Sequence, residues 1–136
     1  MRTSISDPLK LRALIDREAE SSGFDVVAVT TPDAIPLAPA RLAEFVDAGF
    51  HGSMGWIAET LERRSSPSAL WPEVRSIVVL AMNYAPDHDP REILARKASG
   101  AISVYARNRD YHDVMKGRLK EIAGKIVARA GGDVKV

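Results

Sequence analysis

The sequence predicts an α/β (α+β) fold in which helices pack on a small mixed sheet. Three observations carry that expectation. Leu11, Leu14, Ile15 and Ala19 recur at helical spacing behind a proline. Two short runs, residues 24–30 and 76–82, are apolar enough for strands. The C-terminal third holds a longer helical pattern, with Met115, Leu119, Ile122 and Ile126 at spacings of four, three and four. A chain of 136 residues supports one domain around one core.

The elements follow in order. Ser6 or Asp7 caps the first helix, Pro8 sits in its first turn, and Gly23 ends it. Phe24 to Thr30 reads as a strand, and residues 33–39 as a proline-rich connector. A second helix runs from about Ala40 to Ala48 and stops at Gly49. Three glycines between Gly49 and Gly55 predict a tight, irregular backbone, followed by a short helix from Trp56 to Glu62. Arg63, Arg64, Ser65, Ser66 and Pro67 read as a polar loop. Residues 76–82 are the most hydrophobic run, which predicts a central buried strand. Ala85-Pro86 and Asp89-Pro90 break regular structure in residues 83–90. Residues 91–98 allow one or two helical turns, and 101–104 look β-like. The last helix runs from about Asp110 to Ala130, with Gly117 and Gly124 inside it as weak points where another element could pack close. Asp133 to Val136 opens like a strand, so we expect a domain truncated at its C-terminus.

The apolar fraction of 46% and charged fraction of 27% suit a soluble globular protein. No apolar run reaches the length of a membrane span, and the first ten residues lack a signal-peptide core, so we expect a cytoplasmic protein with no membrane partner. There is no cysteine, which excludes disulfides, a cysteine nucleophile and cysteine-ligated clusters within this chain. Net charge is +1 but uneven: residues 1–90 hold 8 Lys/Arg against 13 Asp/Glu, and residues 91–136 hold 11 against 5. The basic third could face phosphates, although a solvated helix face explains it more simply.

The densest chemistry lies at Tyr105-Ala106-Arg107-Asn108-Arg109-Asp110-Tyr111-His112, a strand-to-helix junction of the kind that carries ligand contacts in α/β proteins. Asp110 is placed to cap the last helix, whose N-terminus favours anionic or amide-rich ligands. Tyr105 and Tyr111 could stack on a flat macrocycle or pack beneath the loop. Arg63 and Arg64, beside two serines, could bind an anion through forked hydrogen bonds, or be ordinary surface arginines. His51, His88 and His112 share no metal-ligand spacing, so no metal site is expected. His88 reads as exposed. His51 reads equally as a ring closing over a pocket and as a surface turn histidine. Trp56 and Met54 read as core residues.

Three blocks, in order, together resemble the N-terminal domain of the epoxyqueuosine reductases, cobalamin-dependent tRNA-modification enzymes. They are residues 49–56; Arg64-Ser65-Ser66-Pro67 with Leu70, Pro72, residues 76–80 and Asn83-Tyr84; and residues 102–114. The resemblance covers about Leu9 to the end. It implies a nitroreductase-like half-domain, with residues 1–136 forming a single, incomplete, cobalamin-binding-type domain. It implies reduction of epoxyqueuosine to queuosine at the wobble position of tRNA, with cobalamin and two [4Fe-4S] clusters as cofactors. By motif position, Arg64 and Ser103 look like cobalamin contacts, and Tyr105, Asp110, Tyr111 and His112 line or support the same pocket. The implied partner is the anticodon loop of a queuosine-family tRNA, and the full-length protein is expected to be a monomer.

The family's proton-donating aspartate belongs to a motif beyond Val136, and Asp133 does not sit in that motif, so no catalytic residue is assigned in this chain. The clusters belong to a ferredoxin-like domain whose cysteines this chain lacks, so the chain alone is expected to be inactive. Two other readings stay open. One is a different corrinoid or flavin reductase domain; the other is a basic RNA-binding module using Arg107, Arg109, Lys116, Arg118 and Lys120.

Overall fold

The structure is a computed structural model that describes residues 7–107 and 109–136. Ser6, the alternative helix cap, and Asn108 lie outside the described residues. The fold is mixed α and β: six α-helices and a two-stranded antiparallel sheet among the described residues. The chain divides into two compact units, Met1–Val27 with Leu80–Val136, and Ala28–Val79.

In the first unit, α1 (Pro8–Ser21) starts where the Asp7 carboxylate accepts from the Leu9 N–H at 2.9 Å, with Pro8 in the first turn. Leu14, Ile15 and Ala19 form its buried stripe. Gly23 then takes φ +79°, a conformation that glycine adopts without a Cβ penalty. That turn lets the Phe24 N–H donate to the Ala19 carbonyl at 3.0 Å and buries the Phe24 ring. The long helix α6 (Tyr111–Ala130) begins on its Asp110 cap and buries Ile122. Ala19, Phe24 and Ile122 form the core, with Val27, Leu80, Met82, Met115, Leu119 and Ile126 packed around it. A phenylalanine or isoleucine side chain contributes about 1.5–3 kcal/mol when fully buried. At the edge of this core, Lys125 ties the two helices together, 3.0 Å from Glu18 and 2.9 Å from Glu121. The Lys125 bond, followed by that of Arg17, holds the Glu18 carboxyl below its usual range.

Strands β1 (Val26–Thr30) and β2 (Ile77–Ala81) form the sheet, and the Asp25 N–H donates to the Ala81 carbonyl at 2.9 Å. In the second unit, α2 (Ala38–Asp47), α3 (Gly55–Glu59) and α5 (Pro67–Leu70) gather around α4 (Leu61–Ser65). Gly49 and Gly52 take positive φ, as the glycine cluster demanded. Phe45 and Phe50 meet edge to face at 5.9 Å.

Four sequence expectations give way. Residues 63–67 are helical on both sides of Ser66 rather than a loop. Extended Ser66 accepts from the Ala69 N–H at 3.1 Å and Pro67 follows, which is a cap-and-proline start for α5. Strand β2 is not a buried central strand: Val78 and Val79 are 37% and 49% exposed, because among the described residues the sheet has one other strand. Residues 101–104 and 133–136 are not strands. No strand pairs with either among the described residues, and a strand exists only where a neighbour completes its ladder. Residues 104–106 close into a 3-10 turn, and Gly131 and Gly132 at φ +76° and +77° turn the chain out of α6.

Candidate functional site

The polar junction before α6 is an ordered aromatic ledge. The 3-10 turn Val104–Ala106 presents Tyr105, whose ring meets Tyr111 edge to face at 6.2 Å. Tyr111 in turn stacks on His112 at 4.1 Å with an interplanar angle of 26°. Asp110 fixes the histidine, because its Oδ1 accepts from the His112 backbone N–H at 2.9 Å and lies 2.8 Å from ring Nδ1. The side-chain bond to His112, then the backbone one, holds the Asp110 carboxyl below the usual aspartate range. Tyr105 and Tyr111 remain 56% and 45% exposed, so each keeps ring surface open outside these contacts.

Ser103 lines an adjoining open cleft of about 600 Å³ with Asn83, Tyr84, Ile102 and Val104. Asn83 folds this wall through its side-chain oxygen, which accepts from the Ala85 N–H at 2.9 Å. Five of the six expected cofactor contacts, Ser103, Tyr105, Asp110, Tyr111 and His112, therefore belong to one unit, and four of them touch in sequence. Asn83 and Tyr84 are wall residues that their place in a resembling block could have marked.

Arg64 belongs to the second unit. There it lines a groove of about 610 Å³ with Arg63, Ser65 and Ser66 at one side and Ile35, Leu70, Ile77 and Val79 among the apolar residues. Its guanidinium carbon lies 4.3 Å from the Trp56 ring centroid, and its Nε donates to Thr60 Oγ1 at 2.7 Å. Trp56, read from sequence as core, is 49% exposed and supports Arg64 instead; Met54 is 44% exposed. The spacing of Trp56, Thr60 and Arg64, four residues apart each time, was the overlooked signal. His51 is half-buried, with Nδ1 shielded and unpaired among the described residues, while His88 is exposed as expected.

Of the basic residues considered for phosphate contact, Arg107 donates through Nε to the Ile102 carbonyl at 3.2 Å. Arg118 turns inward, its Nη1 3.6 Å from the Met82 sulfur. Lys116 and Lys120 are exposed. Among the described residues no group of His, Asp and Glu is arranged to hold a metal ion, and no helix is long and apolar enough to cross a membrane.

Comparison with known proteins adds sequence relatives. Residues 64–136 match the family model described as epoxyqueuosine reductase QueG, DUF1730. An epoxyqueuosine reductase of Pseudomonas aeruginosa is 32% identical over 126 residues, spanning 92% of this chain and 35% of the relative. One from Alicycliphilus denitrificans is 33% identical, spanning 83% of this chain and 33% of the relative. One from Escherichia coli K12 is 31% identical, spanning 90% and 33%. The chain thus spans about a third of the length of the curated relatives it matches. No solved structure matches it.

Proposed function

This chain belongs to the epoxyqueuosine reductase family, and from that membership we propose that it is the cobalamin-holding N-terminal part of an enzyme that reduces epoxyqueuosine to queuosine in tRNA. The observation that supports the reading best is the ledge of Tyr105, Tyr111 and His112 beside the Ser103 cleft. Exposed ring surface suits a planar macrocycle, and the Ser103 hydroxyl with the Asn83 side chain suits its peripheral amides. The residues present therefore fit a corrinoid. Tyr105 and Tyr111 would give it an apolar face, Ser103 would bond its rim, and Asp110 would keep the His112 ring in place.

Bound cobalamin supplies electrons from a low-potential metal, as cleavage of a strained C–O bond requires. The residues of this chain bind and orient, while the proton donor and the iron–sulfur clusters belong to the remaining two thirds of such an enzyme. With no cysteine, this chain provides no thiolate for a cluster. The substrate is then a tRNA of the queuosine family, met at its anticodon loop in the cytoplasm, and the 136-residue chain by itself does not turn over.

Titration of the chain with cobalamin, followed by the corrinoid absorbance bands, tests this reading. We expect saturable binding that Ser103→Ala weakens severalfold and that a Tyr105→Ala, Tyr111→Ala double variant largely abolishes. An unchanged spectrum at saturating chain concentration sinks the proposal. Salt-sensitive tRNA affinity without corrinoid binding would replace it with the RNA-binding reading.

A further inference from the structure

We propose that Trp56 and Thr60 are positioning residues that hold Arg64 at the edge of the second unit's groove, so that its two terminal nitrogens meet an acceptor oxygen of the occupant. The inference rests on the cobalamin reading for the identity of that occupant, but its geometry stands on this chain alone. Arg64 is held on two sides. The guanidinium carbon sits over the Trp56 ring, 4.3 Å from its centroid, and Thr60 Oγ1 accepts from Nε at 2.7 Å. Thr60 is itself oriented, because its hydroxyl donates to the Trp56 carbonyl. That bond leaves a lone pair of Oγ1 for Arg64, so the hydroxyl acts as donor and acceptor at once.

The consequence is a division of labour within one side chain. The Nε–H and the contact with the Trp56 ring are spent inside the unit, whereas Nη1 and Nη2 have no hydrogen-bond partner among the described residues. A planar fork with two free donors recognises a phosphate or a carbonyl oxygen. The groove beside it offers Ser65 and Ser66 with apolar Ile35, Leu70 and Val79, which suits a ligand with an apolar body and a polar or anionic edge. Arg63 lines the same groove without an anchor of this kind, so it contributes charge but no fixed direction. Fixing the fork in advance removes the ordering cost that a free arginine pays on binding.

Two measurements on the full 136-residue chain test the proposal. The first is the NMR signal of the Arg64 Nε–Hε group. We expect it to be displaced by the Trp56 ring current and protected from solvent exchange. Trp56→Leu should remove the displacement, and Thr60→Val should remove the protection. A signal that Trp56→Leu and Thr60→Val leave unchanged overturns the positioning role.

The second is cobalamin affinity, read by absorbance, with thermal melting as the fold control. Thr60→Val and Trp56→Leu should each weaken binding about five- to tenfold. Arg64→Lys should lose as much, because it keeps the charge but not the fork. Arg63→Gln, which removes an unanchored charge, should lose less, and Thr60→Ser should restore wild-type affinity. Wild-type binding that the Trp56 and Thr60 variants do not change overturns the inference and leaves the cobalamin reading standing. A displaced, protected Arg64 signal with no cobalamin binding at all overturns the reading and the occupant assigned here, and leaves the anchored fork itself.

Discussion

A single oxygen of Asp110 does two jobs. Oδ1 accepts from the His112 backbone N–H, capping α6, and also lies 2.8 Å from the His112 ring. Both contacts favour the charged carboxylate, so its folded pKa is depressed. A depressed carboxylate contributes stability that is present above its unfolded value, about 3.9, and is lost as pH falls through the lower folded value. The pair is exposed on both sides, so salt screens it and the effect on overall stability is small. The local effect is measurable. In an NMR titration of the side-chain carboxyl carbon, the Asp110 midpoint should lie below the ordinary aspartate value, and His112→Ala should raise it toward that value. A midpoint that does not move in His112→Ala would show that the ring contact does not set it.

At the scale of elements, the glycines of α6 offer a direct test. Gly117 and Gly124 lie inside the helix, and a Cβ built at either meets nothing within 4 Å among the described residues. Helical glycine costs about 0.5–1 kcal/mol relative to alanine. Gly117→Ala and Gly124→Ala should therefore each stabilise the chain by about that amount, read as a higher denaturation midpoint. Destabilisation by either would mean that the helix face is packed where the structure leaves it open. The helices were legible in the sequence for a physical reason. In α1 and α6 the cap, the apolar stripe and the terminating glycine all lie on one continuous element, so local rules suffice. Strands need a partner that local rules do not supply. Residues 101–104 and 133–136 have β-like composition, yet no strand pairs with either among the described residues. The site divides the same way. The contact between Tyr111 and His112 follows from adjacency at a helix start, whereas the cleft wall of Asn83 and Tyr84 beside Ser103 depends on how the loop folds back. Trp56 was misread because aromatic content alone does not distinguish a core ring from one that carries a guanidinium.

For the molecule as a whole, burial is strongly uneven. Among the described residues, the five buried hydrophobic ones, Leu14, Ile15, Ala19, Phe24 and Ile122, belong to the first unit, and none of the second unit is fully buried. Apolar burial is the main favourable term in folding, and local stability follows it. Amide exchange should therefore divide the chain. The slowest amides should lie in the second half of α1 and around Ile122 in α6, where the core is held by packing and by the Lys125 bridge to Glu18. Amides of α3, α4 and α5 should exchange faster, since those helices are four or five residues long and hold no buried side chain. Bound cobalamin gives the measurement functional content. If Arg64 meets the occupant, saturating cobalamin should slow exchange in α3 and α4 more than in α1, because the ligand adds to the second unit the contacts it otherwise lacks. Uniform protection along the chain without ligand would mean that the two units open together, and that the uneven core does not govern how this protein unfolds.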